Sequence, residues 1–392
     1  MMKNMSKVKP YTIGIDATNL RAGGGVTHLM ELMRTAQPAE NGIYHIVVWG
    51  GKPTLKALEA QPWLSKRNPP ALDKGLLQRT LWQRYRLSQA ARDEGCDVLF
   101  VPGGSYAGNF HPMVTMSQNM LPFEPEEAMH FGRWSWMRLK MWLLRQSQGR
   151  SFKKADGLIF LTQYARKGVG RWLGKTKGLQ ALIPHGIEPR FAANPKPQRS
   201  AEDYSFDQPF TFLYVSILMP YKHQIEVCKA ASELRRTGCP VRVRFVGEDW
   251  GLYGQQFRKT LRELDPQEDF LIWQGAIPFS ELHKVYQDAD AFVFASSCEN
   301  MPNILIEAMT AGLPIACSNR GPMPEVLQNA GIYFDPFQPH DIAEAMRTLI
   351  NSPELRFRLA AQAKELSQAY SWQRCAKETF EFISKVAASR RA

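Results

Sequence analysis

Short apolar runs alternate with longer stretches of helical periodicity along the chain. In the first half the runs fall at 11–16, 43–49, 97–101, 113–117, 157–161 and 179–184. They are too short for helices and read as strands buried on both faces of a parallel sheet. A polar, proline-bearing segment at 194–203 interrupts the pattern and predicts a linker. The alternation restarts with runs at 210–216, 241–247, 270–275, 291–295 and 313–317, and the tail from 341 to 392 reads as helical throughout. The pattern predicts an α/β protein of two Rossmann-like, doubly wound domains facing a central cleft. Their expected bounds are 1–200 and 207–371, with a C-terminal helix at 372–392 packing back on the first.

The most informative chemistry follows the run at 291–295. Glu299 sits in the loop at that strand's carboxyl end, Asn303 opens a helical stretch closed by Gly312, and Glu307 lies one turn inside it. Ligands of open α/β sheets bind outside the carboxyl ends of the strands, where a helix amino terminus offers N–H groups and a positive dipole to a phosphate. A carboxylate accepts two hydrogen bonds at once and so suits the paired hydroxyls of a ribose or hexose. Two of them flanking a phosphate site point to a sugar nucleotide. The plain alternative is a Glu that only complements the helix dipole and another that is only solvated.

Composition narrows the class. With 392 residues, 44% of them hydrophobic, and 10 Trp, the chain has material for two real cores. The basic opening at 1–10 leads into no signal-peptide core and no apolar run reaches 18 residues, so a cytoplasmic protein is expected. The six cysteines are scattered without metal-type spacing and read as thiols of a reducing compartment, with no metal site. The net charge of +12 is uneven: 131–155 holds Arg133, Arg138, Lys140, Arg145, Arg150, Lys153 and Lys154, no acid, and Trp134, Trp136 and Trp142. Such a segment suits an anionic membrane surface, which would make the protein peripheral on the inner face of the cytoplasmic membrane. A solvated basic face on a packed helix is the alternative. No nucleic-acid motif accompanies the charge, and no nucleic-acid partner is expected.

Four further motifs stand at predicted strand ends. Gly23, Gly24 and Gly25 form a turn running into a helix, which lets backbone approach a diphosphate or simply connects strand to helix. Lys222, after the first strand of the second half, carries the positive charge that a leaving diphosphate needs. Gln118 and Asn119 project from the run at 113–117, with amides that suit sugar hydroxyls or a turn before Pro122, and His185 ends the run at 179–184. Asp288-Ala-Asp290 has the spacing of a metal motif, but it enters a strand at the edge of the sheet opposite the ligand side.

Taken together, Gly23-Gly24-Gly25, Pro184-His185-Gly186-Ile187, Pro220-Tyr221-Lys222, Gln274-Gly275-Ala276-Ile277 and Glu299-x7-Glu307 with its following Gly312-Leu313-Pro314 resemble the retaining GT-B glycosyltransferases of family GT4. The resemblance spans nearly the whole chain. It implies that Glu299 contacts the donor hexose, Glu307 the ribose hydroxyls and Lys222 the diphosphate. It implies that backbone near Gly24, Asn303 and Ile304 binds phosphate, with Ile277 near the base and Asn300 and Met301 in the donor loop. Gln118, Asn119 and His185 are the acceptor-side candidates.

The expected reaction is transfer of a hexose from an NDP-sugar, with retention and without metal or cofactor, to a hydroxyl of a glycan or glycolipid acceptor in cell-surface polysaccharide or lipopolysaccharide synthesis. The chain departs from the pattern at three places. Ile217 replaces a family Arg, Asn300-Met301-Pro302-Asn303 replaces Gly-Phe-Gly, and Gln118-Asn119 replaces a His-Asp pair. A GT-B-fold sugar-nucleotide epimerase or hydrolase, or a non-catalytic sugar-nucleotide or membrane-surface binding module, are the alternatives.

Overall fold

A computed structural model describes residues 10–21, 23–132, 135–249 and 251–389. The chain forms two compact units. The first comprises Met1–Phe123, Trp136–Gly186 and Ser371–Ala392, and the second Glu124–Ser135 and Ile187–Tyr370.

The first unit is built on a seven-stranded sheet of β1 (Tyr11–Ala17), β2 (Ile43–Gly50), β3 (Leu64–Arg67), β4 (Val98–Val101), β5 (Met113–Ser117), β6 (Gly157–Phe160) and β7 (Leu179–Leu182), ordered β3-β2-β1-β4-β5-β6-β7. The second unit has a six-stranded sheet of β8 (Phe210–Val215), β9 (Val241–Val246), β10 (Leu271–Trp273), β11 (Ala291–Phe294), β12 (Ile315–Ser318) and β13 (Ile332–Phe334), ordered β10-β9-β8-β11-β12-β13. Every pairing is parallel. The central strands β1, β4, β5 and β11 are buried at every position, as helices on both faces require. These are the two Rossmann-like folds that the alternation predicts.

In each sheet the strand order reverses once, between β1 and β4 and between β8 and β11. Helices leave those neighbouring strands toward opposite faces, and a crevice opens at their carboxyl ends. The residues that matter chemically cluster there in both units.

Three parts of the chain differ from expectation. β3 and β13 are additional edge strands. Leu64-Ser-Lys-Arg67 is only half buried, so it lacks the apolar run that marks a central strand. The tail from 341 is three helices, Pro339–Asn351, Pro353–Ser367 and Trp372–Ala388, with Pro353 opening the second. The segment at 194–203 is no free linker: fully buried Arg356 donates to Gln198 Oε1 at 2.8 Å and to Leu349 O at 2.6 Å, and Ala193 N–H bonds Thr310 O at 3.2 Å. A guanidinium with several donors ties loop and helix end together, so the stretch packs as part of the second unit.

The helix Trp372–Ala388 packs within the first unit. Its Ser371 cap accepts the Arg374 N–H at 3.2 Å, and Phe380, Ile383 and Val386 are buried. A Cβ on Gly186 would stand 2.1 Å from Trp372 N, so only glycine allows the helix to start where it does.

Candidate functional site

The site in the second unit is assembled from the loops after β8 and β11. The β8 loop passes through a short 3-10 turn, Pro220–Lys222, into the helix Gln224–Arg236, with His223 held at φ 53°. Gln224 Nε2 donates to Ile217 O at 2.9 Å and the Tyr214 hydroxyl donates to Lys222 O, which fixes the loop from beneath. The β11 loop is tied to it through Ser297 N–H to Tyr221 O, 2.9 Å. A third loop is locked on as well. Gly247, after β9 at φ 151°, would place a Cβ 1.8 Å from Ser216 O.

This framework brings Lys222 and Glu299 into an ion pair, with side chains 7% and 15% exposed. The ammonium also stands 5.4 Å from the Tyr221 ring and 5.5 Å from the Phe294 ring. Aromatic faces and the carboxylate hold the cation in place, and the pair is neutral overall until Glu299 turns to another partner. Beside the pair, the helix Asn303–Thr310 begins at Pro302 with no side-chain cap and no acid in its first turn. The Asn303 N–H is turned back onto Met301 O at 3.0 Å, so it is the helix dipole and the N–H groups after Asn303 that favour a negative ligand. Asn300 and Met301 are buried within the loop, and Ile304 is partly buried in that first turn.

Glu307 lies on the same helix, buried, and accepts the Tyr286 hydroxyl at 2.8 Å. Burial pushes its carboxyl up to about 7; the Tyr286 bond and Arg190 pull the other way, and Glu188 adds to the rise. Ile277 follows β10 in the turn after Gly275, where Gly247 N–H bonds Gly275 O at 2.8 Å, so the β10 and β9 loops are joined. Asp290 is engaged elsewhere: its carboxylate accepts Thr211 N–H at 2.8 Å and the Tyr204 hydroxyl at 3.3 Å.

Several residues here carried no sequence signal of their own. Ser297 donates to Glu127 Oε2 at 2.6 Å, and His223 Nε2 lies 3.0 Å from the same serine oxygen. With the hydroxyl hydrogen committed to Glu127, the imidazole is the donor. Glu127 comes from 124–135, the short segment that joins the second unit from the middle of the first. Its neighbour His130 stacks on Phe337 at 5.7 Å, and Phe337 meets His223 edge-on at 4.6 Å. Ile217 is 42% exposed. The loop after β12 adjoins this region: a Cβ on Gly321 would lie 3.8 Å from Glu299 N, and its neighbour Arg320 bonds Asp335 at 2.8 Å.

In the first unit the glycine-rich turn opens the helix Gly24–Thr35, with Gly23 at φ 70°. A Cβ on Gly25 would stand 3.2 Å from Gln118 Oε1, so the structure brings this turn and Gln118 together. His28 stacks on His185 at 4.6 Å, and His185 on Trp372 at 5.6 Å. Burial, with the neighbouring His185, holds His28 well below its usual pKa. Asn119 spends its side-chain oxygen on Leu121 N–H at 3.1 Å, a turn immediately before Pro122. Arg133 and Trp134 of the basic segment lie outside the described residues; its helix runs Trp136–Lys154. Among the described residues no helix is long and apolar enough to cross a membrane.

Residues 197–366 match the family Glycosyl transferases group 1. The chain is 32% identical over 122 residues to the O-antigen chain mannosyltransferase B of Escherichia coli, covering 30% of this chain and 31% of that protein. The matched stretch spans less than half of each of the first three curated relatives, at 26%, 31% and 48%. Sucrose-phosphate synthase from Thermosynechococcus elongatus superimposes with a TM-score of 0.75 at 18% identity, over 97% of this chain and all of that one. Anabaena Alr3699/HepE in complex with UDP-glucose does so with a TM-score of 0.66 at 16% identity, over 97% and 99%.

Proposed function

We propose that this chain, a group 1 glycosyltransferase of GT-B fold, transfers a hexose from a nucleoside-diphosphate sugar to a hydroxyl of a lipid-linked glycan, with retention and without metal. One observation carries the reading: the Lys222–Glu299 pair sits where the second sheet reverses its strand order, beside the uncapped start of the helix Asn303–Thr310. A cation and a helix amino terminus converging there offer a diphosphate leaving group both charge and N–H donors.

In this mechanism Lys222 and the helix start at Ile304 take up the charge that develops on the diphosphate as the glycosidic bond breaks, and the Asn303 N–H joins them only by leaving Met301 O. Glu299 holds hydroxyls of the hexose and Glu307 those of the ribose, with Ile277 backbone at the base and Asn300 and Met301 shaping the donor loop. The turn Gly23–Gly25 lets backbone approach the phosphates. The departing diphosphate oxygen takes the acceptor proton, so no protein base is needed. Gln118, near Gly25, and His185 with His28 face the acceptor, with Asn119 shaping the turn beside them. The complex of HepE with UDP-glucose supports a nucleotide-sugar donor, and the O-antigen mannosyltransferase among the relatives supports a surface-glycan acceptor. The enzyme would work in the cytoplasm, peripheral to the inner face of the membrane.

The test is incubation of the full chain with UDP- and GDP-hexoses, a lipid-linked glycan and a chelator, following nucleotide release and the anomeric configuration of the product. Acceptor-dependent release with a retained anomer is expected. Glu307→Ala should abolish it. Donor turnover that ignores the acceptor, or full activity in the variant, would sink the reading.

A further inference from the structure

The first unit has a crevice of its own. Where its strand order reverses, a cavity of about 690 Å³ opens at the carboxyl ends of β1 and β4, within the range of small-ligand pockets. Arg21 from the β1 loop, Arg79 from the helix Leu76–Tyr85, and Lys140 from the helix Trp136–Lys154 line it, and no carboxylate does among the described residues. Arg21 is held by Leu72 O at 3.1 Å and Arg79 by Thr18 O at 3.0 Å. Each guanidinium is thus anchored through one nitrogen and keeps other donors.

The wall behind them is built rather than incidental. Gln83, 2% exposed, donates to the buried Asp16 carboxylate and accepts Ala107 N–H at 2.9 Å. Arg79 Nε, Asn19 Oδ1 and Gln148 Oε1 are buried at this cavity with no hydrogen-bond partner among the described residues. Burial, then the Arg21 charge, holds Arg79 below its usual pKa. The two amide oxygens await a hydroxyl donor, whereas two like charges and the orphaned Arg79 Nε–H in one place are costly until an anion arrives.

The rim has the opposite chemistry. The two helices that line the cavity expose Leu77, Leu81 and Tyr85 at 69%, 45% and 67%, and Trp136, Trp142 and Leu143 at 73%, 49% and 49%. Neither helix contains an acid, and both carry Arg or Lys. Exposed apolar surface on this scale marks an interaction face, and its mixture with cations fits an anionic lipid surface. Nucleic-acid phosphates would need cations tracking the backbone outward, whereas here the way out is Leu and Trp.

We propose that the cavity between β1 and β4 binds the phosphate of a phosphorylated lipid, Arg21 and Arg79 gripping the phosphate while the hydrocarbon chain leaves over Trp136 and Leu143 into the bilayer on which the two helices rest. Calling this lipid the acceptor rests on the transferase reading; the phospholipid site itself does not.

Calorimetric titration of the full chain with dioctanoyl phosphatidic acid, dioctanoylglycerol and inorganic phosphate tests it. Phosphatidic acid should bind about tenfold or more tightly than either the chain without phosphate or the phosphate without chain. The Arg21→Gln/Arg79→Gln variant should lose about tenfold of that affinity with an unchanged melting temperature. The exposed Leu143→Ser should weaken the lipid but not inorganic phosphate. Undiminished lipid affinity in the double variant overturns the proposal. If the double variant fails to fold, Leu143→Ser decides, and unchanged lipid binding there overturns it equally. A wild type that binds phosphatidic acid but turns over no nucleotide sugar removes the transferase reading and leaves the site standing.

Discussion

The Tyr286 hydroxyl donates to Glu307 at 2.8 Å from a helix 21 positions upstream, and the carboxyl it meets is buried and raised from 4.5 to about 7. An acid raised by folding is one that the folded state prefers protonated. Its contribution to stability is full below its ordinary pKa of 4.5 and is lost as pH rises through about 7. In the proposed role the same carboxyl ionises to accept two ribose hydroxyls, and binding there would draw its pKa down again.

Glu307→Gln removes this titration while keeping a group that fits beside Tyr286. Its melting temperature relative to wild type is expected to climb between about pH 5 and pH 8, because only the wild type loses stability over that window. The full span corresponds to about 3 kcal/mol. Thermal unfolding of both proteins across this range checks it, and parallel curves would refute the assignment.

Lys222→Ala leaves Glu299 nearly buried without its cation, at a cost of about 3 kcal/mol, and in the proposed mechanism takes the charge away from the diphosphate. Both this variant and Glu299→Ala are expected to lose about a hundredfold or more in kcat with an acceptor present. The double variant separates structure from chemistry. If the two residues served only as an ion pair, removing both would restore activity, whereas groups that act on the donor leave the double variant as inactive as the singles.

How much of this was legible depended on where a residue's partners lie. Central strands such as β1 and β11 are apolar on both faces and announce themselves. The edge strand β3 exposes half its surface and reads like a loop. Lys222 and Glu299 are 77 positions apart, yet each stands at a strand's carboxyl end, so the fold pattern places both. Tyr286 and Glu127 have no such marker. Their roles come from elements that only the folded chain brings near, as does the second apolar helix, Leu76–Tyr85, beside the basic segment.

Glu127 is expected to act as a positioning residue for the donor loop. Glu127→Ala leaves the Ser297 hydroxyl only its longer bond to Tyr221 O, 3.3 Å, a loss of about 1.5–3 kcal/mol for a hydrogen bond to a charged group. Donor KM should rise several-fold while kcat changes little, since neither side chain reaches the reacting atoms. Steady-state kinetics against donor concentration measures this split. An unchanged KM shows that the loop holds its shape without Glu127.

Gly186 decides whether the C-terminal helix can dock. An alanine Cβ at this position meets Trp372 N at 2.1 Å and the carbonyl carbon of Ser371 at 2.4 Å, backbone atoms that cannot swing aside as a side chain would. The helix start must shift, and with it the Ser371 cap and the Trp372 ring that stacks on His185. Overpacking of this kind costs about 1–3 kcal/mol when the structure yields, and losing the cap adds about 1 kcal/mol more. Gly186→Ala should therefore lower the denaturant midpoint and speed amide exchange along Trp372–Ala388 ahead of the second unit. Exchange that rises evenly through both units would mean that the helix is not held at this point.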